Sequence, residues 1–432
     1  MPTPTQRAAV LSRPTVPTLP ARAVPAQAAP LPAVPVPVEA GTAPRGAVPP
    51  DPPARRRTRS GQAAARTAAA VGLVYAGSLA LHLWLLALMA PPGGEGVRAR
   101  LLAWDARHFA DIAAHGYPDG LNHSPDGEPA GNDLAFFPLY PLLTRAVAAL
   151  TGVDTGTAAL GTSHLAVLAM LGAVHSLLAR LHGARTALVG IVLLAGAQPM
   201  ALTFFMGYSE ALFAALAAGA LLATHRRAWL TAGSLALLCG LTRPVAAAVA
   251  LAVAVAAAQH MLRARRPATR PVAAVVLACA GTPAYLAWVG DRVGRMDAWF
   301  LIQEAGWGTR WDNGAAFLRF LGEVLPREDG WVPVSTALLV LVLLGFTAAA
   351  WRRDSWPPLL VYGTAVVVMA LGQSNYFHCK LRLLVPALVF LLPPARALAG
   401  ARPRTAVAVL AGAVLFGCWY GAHMLTVWPY AI

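Results

Sequence analysis

Charge is what this sequence has least of. Asp, Glu, Lys and Arg make up 12% of its 432 residues, while 57% are apolar. An average soluble domain carries about 25% charged residues, so most of this chain cannot face water, and a soluble globular protein is excluded. Acidic side chains are scarcer than basic ones, 19 against 34, for a net charge of +15. Such an excess would suit nucleic acid if it were clustered. Here the basic residues fall in the gaps between apolar runs and in the N-terminal segment, the pattern of cytoplasmic loops beside an anionic leaflet. No nucleic-acid partner is expected. Lysine is nearly missing, with Lys380 alone among the basic residues, a bias expected of a GC-rich bacterial genome and silent on mechanism. Cys239, Cys279, Cys379 and Cys418 lack metal-ligand spacing and read as small buried hydrophobes.

What remains is apolar sequence in long runs. From Ala64 to the C-terminus, stretches near the ~20 residues of a membrane-spanning helix recur. Eleven spans are expected, at about 64–90, 155–179, 186–206, 209–223, 228–242, 245–262, 271–290, 332–350, 358–372, 383–395 and 405–425. Segment 135–150 reads as a partial span or an interfacial helix. Residues 1–62 form a separate region, rich in Pro, Ala and Val and ending in Arg55, Arg56, Arg57 and Arg59. Dense proline blocks helix propagation, so this tail is expected to be disordered. The basic cluster before the first span places the N-terminus in the cytoplasm. That first span is too long and too late for a cleavable signal sequence. Every second gap is then short and basic, for example Arg226-Arg227, Arg265-Arg266 and Arg352-Arg353. Two long loops, about 91–154 and 291–331, fall on the extracytoplasmic side. Loops this long are functional or disordered. Their Trp, Asp, Arg and Gly content favours order and function.

The first loop contains Trp104-Asp105-Ala106-Arg107-His108-Phe109 and continues through Asp111-Ile112 to Gly116-Tyr117. On a helix, Leu102, Asp105, Phe109 and Ile112 share one face, which plants a carboxylate in an apolar stripe expected to lie on the membrane surface. Burial would make that carboxylate a better base unless a cation is paired with it. An N-terminal cap, or an ion pair with Arg107 or His108, would explain Asp105 equally well. Further on, Phe136-Phe137-Pro138-Leu139-Tyr140-Pro141 forms a stiff aromatic elbow suited to the headgroup zone.

Together these strings resemble the PIG-V-like mannosyltransferases, whose eukaryotic members add the second mannose in GPI-anchor synthesis and which have many bacterial relatives. Phe204-Phe205-Met206-Gly207-Tyr208-Ser209-Glu210 is similar to a second motif of that family, and Leu241-Thr242-Arg243-Pro244 and the Gln303 segment to weaker ones. The resemblance runs from about residue 64 to about 400. It implies an all-α polytopic membrane protein of GT-C architecture, a helix bundle with a catalytic Asp in the first external loop, over residues 63–432. It implies a polyprenyl-phosphate sugar as donor, mannose by family, and an unidentified glycan, lipid or protein acceptor. Asp105 is then the catalytic base, and Trp104, Gly116, Tyr117 and Glu210 match motif positions. His108 stands where an aromatic is expected, and Arg107 adds a charge beside the base.

The expected chemistry needs one base for the acceptor hydroxyl and cations for the departing phosphate. Asp105 supplies the first, with inversion at the sugar. Arg243, Lys380 and Arg382, all at predicted outer membrane ends, supply the second, although headgroup anchoring would place them there as well. Substrate contacts are expected from Trp104, Arg107, His108, Tyr117, Tyr208, Glu210, Arg243, Gln303, Lys380 and Arg382. For Glu210, at the membrane edge, two roles stay open: positioning the acceptor, or pairing with Arg243 to hold two helices. No cofactor is required; a divalent metal remains an alternative without ligand spacing to argue for it. A bacterial plasma membrane with the site on the outer face is the expected location. A transporter or lipid-linked-sugar flippase would instead show charges at mid-depth and broken helices in matching halves. A non-catalytic scaffold would leave the two long loops unexplained.

Overall fold

The computed structural model describes residues 53–353 and 356–432. The expected disorder of residues 1–52 lies outside the described residues. A helix begins at Pro53 and runs to Met89, and so includes residues 53–62 at the end of the expected tail. No proline interrupts the chain between Pro53 and Pro91, and Ala, Arg and Gln are good helix formers behind a proline in the first turn.

The described chain is an all-α, multi-pass bundle. Its strands are two-residue ladders, Asn122–His123 with Pro129–Ala130 and Arg310–Trp311 with Gln373–Ser374. Six helices are long and apolar enough to cross a membrane: Ala64–Met89, Thr155–His182, Pro244–Ala264, Thr269–Val293, Trp331–Arg353 and Pro403–Thr426. A pair bent by 72°, Phe377–Leu384 and Leu388–Gly400, makes a seventh if it is counted as one span. Helix length and composition do not confirm the expected eleven. The other expected spans do form helices, but as short pieces: Ala184–Ala197, Glu210–His225, Trp229–Gly240 and Pro357–Leu371. At 16 residues, Glu210–His225 is only ~24 Å long against a ~30 Å hydrocarbon core. Proline explains several of the breaks: Pro199 ends one piece, Pro244 separates two, and Pro386 sits in the bend. Irregular backbone at membrane depth is tolerated where protein covers it, and Phe204, Phe205 and Tyr208 in one such break are fully buried.

Small residues let the helices approach. Trp229–Gly240 lies along Thr269–Val293, and a Cβ on Gly240 would sit 2.7 Å from the Thr282 nitrogen and 2.9 Å from the Gly281 Cα. Tight backbone contact of this kind is how membrane helices gain packing energy without a hydrophobic drive. Gly240→Val should therefore destabilise the bundle by about 1–3 kcal/mol, read as a lowered unfolding temperature in detergent. An unchanged midpoint would mean that the two helices are not in contact there.

The two ends of the bundle differ in charge. Every described Asp and Glu lies at the end that carries the loops around 91–154 and 294–330. The other end carries Arg180, Arg185, Arg226, Arg227, Arg263, Arg352 and Arg396, with Arg185 donating to the Ala401 carbonyl and Arg396 to that of Arg353.

Candidate active site

Four breaks in helical structure meet at the acidic end. Trp104 adopts φ 57° and ψ −124°, a left-handed backbone rare for a bulky residue, and Asp105 opens the helix Asp105–His115 directly after it. Such strain persists only where the surroundings over-determine it, and it clusters at functional sites. Glu210 is the first residue of Glu210–His225, where the helix dipole favours a carboxylate. Arg243 is extended (φ −157°, ψ 147°) because Pro244 follows it. Arg382 lies on the short helix Lys380–Leu384 before the bend. The chain reaches Glu210 through Gly207, whose amide donates to the Leu101 carbonyl at 3.0 Å. A Cβ on Gly207 would meet Ala106 at 3.1 Å. The second motif thus docks on the helix of the first.

The four charged side chains form an alternating row. Arg382 Nη1 donates to Asp105 Oδ2 at 2.6 Å, and its Nε lies 3.7 Å from Glu210 Oε1. Arg243 Nη1 lies 2.7 Å from the same Glu210 oxygen and 3.3 Å from Ser209 Oγ. Arg382 also stands over the Tyr208 ring at 5.2 Å. Glu210 is 1% exposed and Arg382 10%, whereas Asp105 at 19% and Arg243 at 16% keep access to the outside. Neither Glu210 oxygen has a well-angled hydrogen bond, so its two arginines hold it by charge rather than by geometry. The lone carboxylate expected in the apolar stripe is therefore not what the fold builds. A guanidinium from 277 residues away pairs with it. Nor does the helix lie open on a membrane surface: Phe109 and Ile112 are buried, with Phe109 edge-on to Tyr140.

Asp105 and Arg243 open into a cleft of about 160 Å³. Its walls are aromatic (Phe136, Trp299, Trp307, Tyr376), with Gln303, Gln373 and Asn375 as polar points. The elbow Ala135-Phe136-Phe137 is fixed by its carbonyls. Tyr117 and Tyr285 both donate to Phe136 O, at 2.8 and 2.7 Å, and Trp299 and Gln303 both donate to Ala135 O. Burial pushes the Tyr117 hydroxyl up, so it remains a donor at any physiological pH.

The fold thus brings Asp105, Tyr208, Glu210, Arg243 and Arg382 together, with Gln303 across the cleft. It does not bring the rest of the expected set to the same place. Trp104 contributes backbone and is 40% exposed. Arg107 projects outward, 3.7 Å from Glu95. Tyr117 serves the elbow. Lys380 is buried, with Nζ donating to the Ala370 and Gln373 carbonyls at 2.9 and 2.6 Å. It ties Pro357–Leu371 to the bend and is not among the residues lining the cleft. His108 stacks on Phe136 at 4.7 Å and bonds Asp133 at 2.7 Å. Among the described residues no three His, Cys, Asp or Glu side chains gather as a metal set. Sequence reasoning missed Trp299, Trp307, Asn375 and Tyr285. Only the aromatic richness of the second loop hinted at the two tryptophans.

His108 gives a pH prediction. The hydrogen bond to Asp133 raises the imidazole above its ordinary 6.5. A raised folded-state value means stability fully present below 6.5 while Asp133 stays ionised, and lost as pH rises through the folded value. The unfolding temperature should therefore fall above pH 6.5 more steeply in wild type than in His108→Gln. Parallel profiles would remove His108 from this role.

No protein-family model matches the chain, and no curated protein does. Similar solved structures include ArnT from Cupriavidus metallidurans bound to undecaprenyl phosphate (18% identity, 79% of this chain and 62% of that one, TM-score 0.49). The apo state of the same protein has 16% identity over 82% of this chain and 77% of that one, again at TM-score 0.49. The Archaeoglobus fulgidus oligosaccharyltransferase has 12% identity, 82% and 56% coverage, and TM-score 0.47. The chain spans less than two thirds of the first and third of these. At such identities and scores the likeness assigns no chemistry to this chain.

Proposed function

We propose that the protein is an integral membrane glycosyltransferase, PIG-V-like in its motifs and GT-C in architecture. In this reading it transfers mannose from polyprenyl-phosphate-mannose to a hydroxyl of an extracytoplasmic acceptor. The observation that carries the proposal is the row Asp105–Arg382–Glu210–Arg243 at the mouth of an aromatic cleft. It puts a candidate base and the Arg243 guanidinium on the cleft wall, with the Arg382 guanidinium directly behind Asp105. Arg suits phosphate because its planar fork donates in pairs and never loses its charge. Aromatic walls exclude water from an activated sugar.

In the proposed step the acceptor oxygen attacks the anomeric carbon. The carbon–oxygen bond to phosphate breaks, polyprenyl phosphate leaves with the bonding electrons, and the acceptor proton passes to Asp105. Arg243 and Arg382 hold the phosphate, a good leaving group that needs little acid assistance. A phosphate that ligates Arg382 competes with Asp105 for the guanidinium, so the carboxylate is released as a base only when donor is seated. Glu210 stays behind to hold both arginines. A single displacement inverts the anomeric centre. The arginine-rich end is read as cytoplasmic by the positive-inside rule, which puts the cleft on the outer face of a bacterial plasma membrane and the N-terminus inside.

The test is stereochemical. Membranes expressing the protein, given a panel of labelled polyprenyl-phosphate sugars and a host extract as acceptor pool, should favour mannose and form the opposite anomer to the donor's. Retention would overturn the single-base mechanism, and preference for another sugar would overturn mannose.

A further inference from the structure

A second cavity opens at the arginine-rich end, where Glu210–His225, Trp229–Gly240 and Ala247–Ala264 meet the start of Pro357–Leu371. It holds about 450 Å³. Glu210 and His225 are the first and last residues of one 16-residue helix, so this cavity and the Asp105 row are separated by roughly 22 Å along its axis. Its polar lining includes Arg227, Arg263, His225, His260 and Gln259, and no Asp or Glu among the described residues lines it. Two aromatic–imidazole contacts brace the walls, His225 against Trp356 and His260 against Trp229, each at 5.3 Å. Arg227 has φ 59°, a left-handed turn that a glycine would adopt more readily.

Neither Arg227 nor Arg263 has a side-chain hydrogen bond or ion pair with any described residue, and both are exposed. Two cations without an acidic partner among the described residues, beside one cavity that imidazole and amide donors also line, suit a phosphate group. Beside them the surface turns apolar. Leu262, next to Arg263, is 76% exposed, and Leu230, next to Trp229, is 51% exposed. Exposed leucines adjoining unpaired arginines at a helix end match a lipid, with chains on the leucines and headgroup on the cations. Basic pockets between membrane helices on the cytoplasmic side bind anionic headgroups for this reason.

We propose that this cavity is a binding site for the phosphate headgroup of an anionic lipid of the adjoining leaflet, separate from the cleft at Asp105. The proposal stands or falls without the glycosyltransferase reading, because its test measures binding and not transfer. The full-length protein is placed in nanodiscs of phosphatidylcholine with a minor fraction of phosphatidylglycerol, extracted in mild detergent, and its retained lipid read by native mass spectrometry. Wild type should keep phosphatidylglycerol in preference to phosphatidylcholine. Arg227→Gln/Arg263→Gln should keep roughly tenfold less or lower still, with its unfolding temperature confirming a folded protein. Arg402→Gln/Arg404→Gln, at the same end but outside the cavity, should retain it as wild type does. Equal loss in both double variants would reduce the effect to general surface charge and overturn the site. Stabilisation by inorganic phosphate in pure phosphatidylcholine nanodiscs, abolished by Arg227→Gln/Arg263→Gln, would assign the cavity to a soluble phosphate compound and overturn the lipid assignment.

Discussion

Arg382→Met should cost on the order of 3–5 kcal/mol of stability and abolish transfer. The guanidinium pairs with Asp105 at 2.6 Å and approaches Glu210 at 3.7 Å, and its removal leaves two carboxylates without the cation that stands between them. Glu210 is 1% exposed and cannot turn to water; Arg243 alone then has to balance it. Removing one partner of a buried pair is expensive because the other charge remains behind. Arg382→Lys should restore part of the stability and little activity, since one ammonium cannot present the planar fork that reaches Asp105 and Glu210 together. The measurement is thermal unfolding of purified variants, paired with transfer rates. A stable, active Arg382→Met would show that the row is not a coupled unit. Lys380→Met should behave differently. It breaks two bonds to carbonyls and should lower the unfolding temperature, leaving the apparent affinity for donor unchanged.

Asp105→Asn should slow transfer by about 10²–10⁴-fold, with the fold intact. An amide oxygen at that position still accepts from Arg382, so the row keeps its shape while losing its base. A base acts in the chemical step, so kcat should fall far more than KM changes. Equal loss of affinity and rate would make Asp105 a structural partner of Arg382 instead. Arg243→Gln should show the converse bias, weakening donor retention first, because Arg243 is the cation closest to the cleft that does not hold Asp105.

Asp105 and Glu210 were legible in the sequence because acidic residues are so scarce. An acid inside an apolar stripe, or at a membrane edge, stands out against a chain with 12% charge. Arg243 was legible through Pro244, which forces the residue before it out of a helix and toward a helix end. The partner of Asp105 was not legible. Local spacing offered Arg107 and His108, whereas the fold sends Arg107 toward Glu95 and His108 onto Asp133 and Phe136. The true partner comes from the opposite end of the chain, and periodicity says nothing at that range. Lys380 misled for a related reason: a lone lysine near an outer membrane end looks like a phosphate ligand, and only the reversal of the chain between Leu371 and Lys380 brings the Ala370 and Gln373 carbonyls within reach of its ammonium.

The span count shows the same division. Apolar runs located each helical segment, but hydropathy does not register where proline cuts a run into pieces too short to cross alone. Those cuts are the places that matter. Gln198-Pro199 lies upstream of Glu210, Arg243-Pro244 holds a cation, and Pro386 forms the bend after Arg382. The breaks that weaken the span pattern are the ones that deliver charge to the cleft, a local conflict of the kind expected at functional sites.

The claim that this cleft transfers sugar from a lipid phosphate is tested most directly with purified wild-type protein in proteoliposomes, supplied with polyprenyl-phosphate-mannose labelled in both sugar and lipid, and with acceptor extract. The expected result is one polyprenyl phosphate released for each mannose appearing in product, with both signals lost together in Asp105→Asn. Labelled donor crossing the bilayer intact, with no product and no released phosphate, would contradict it and make the protein a carrier of the lipid-linked sugar.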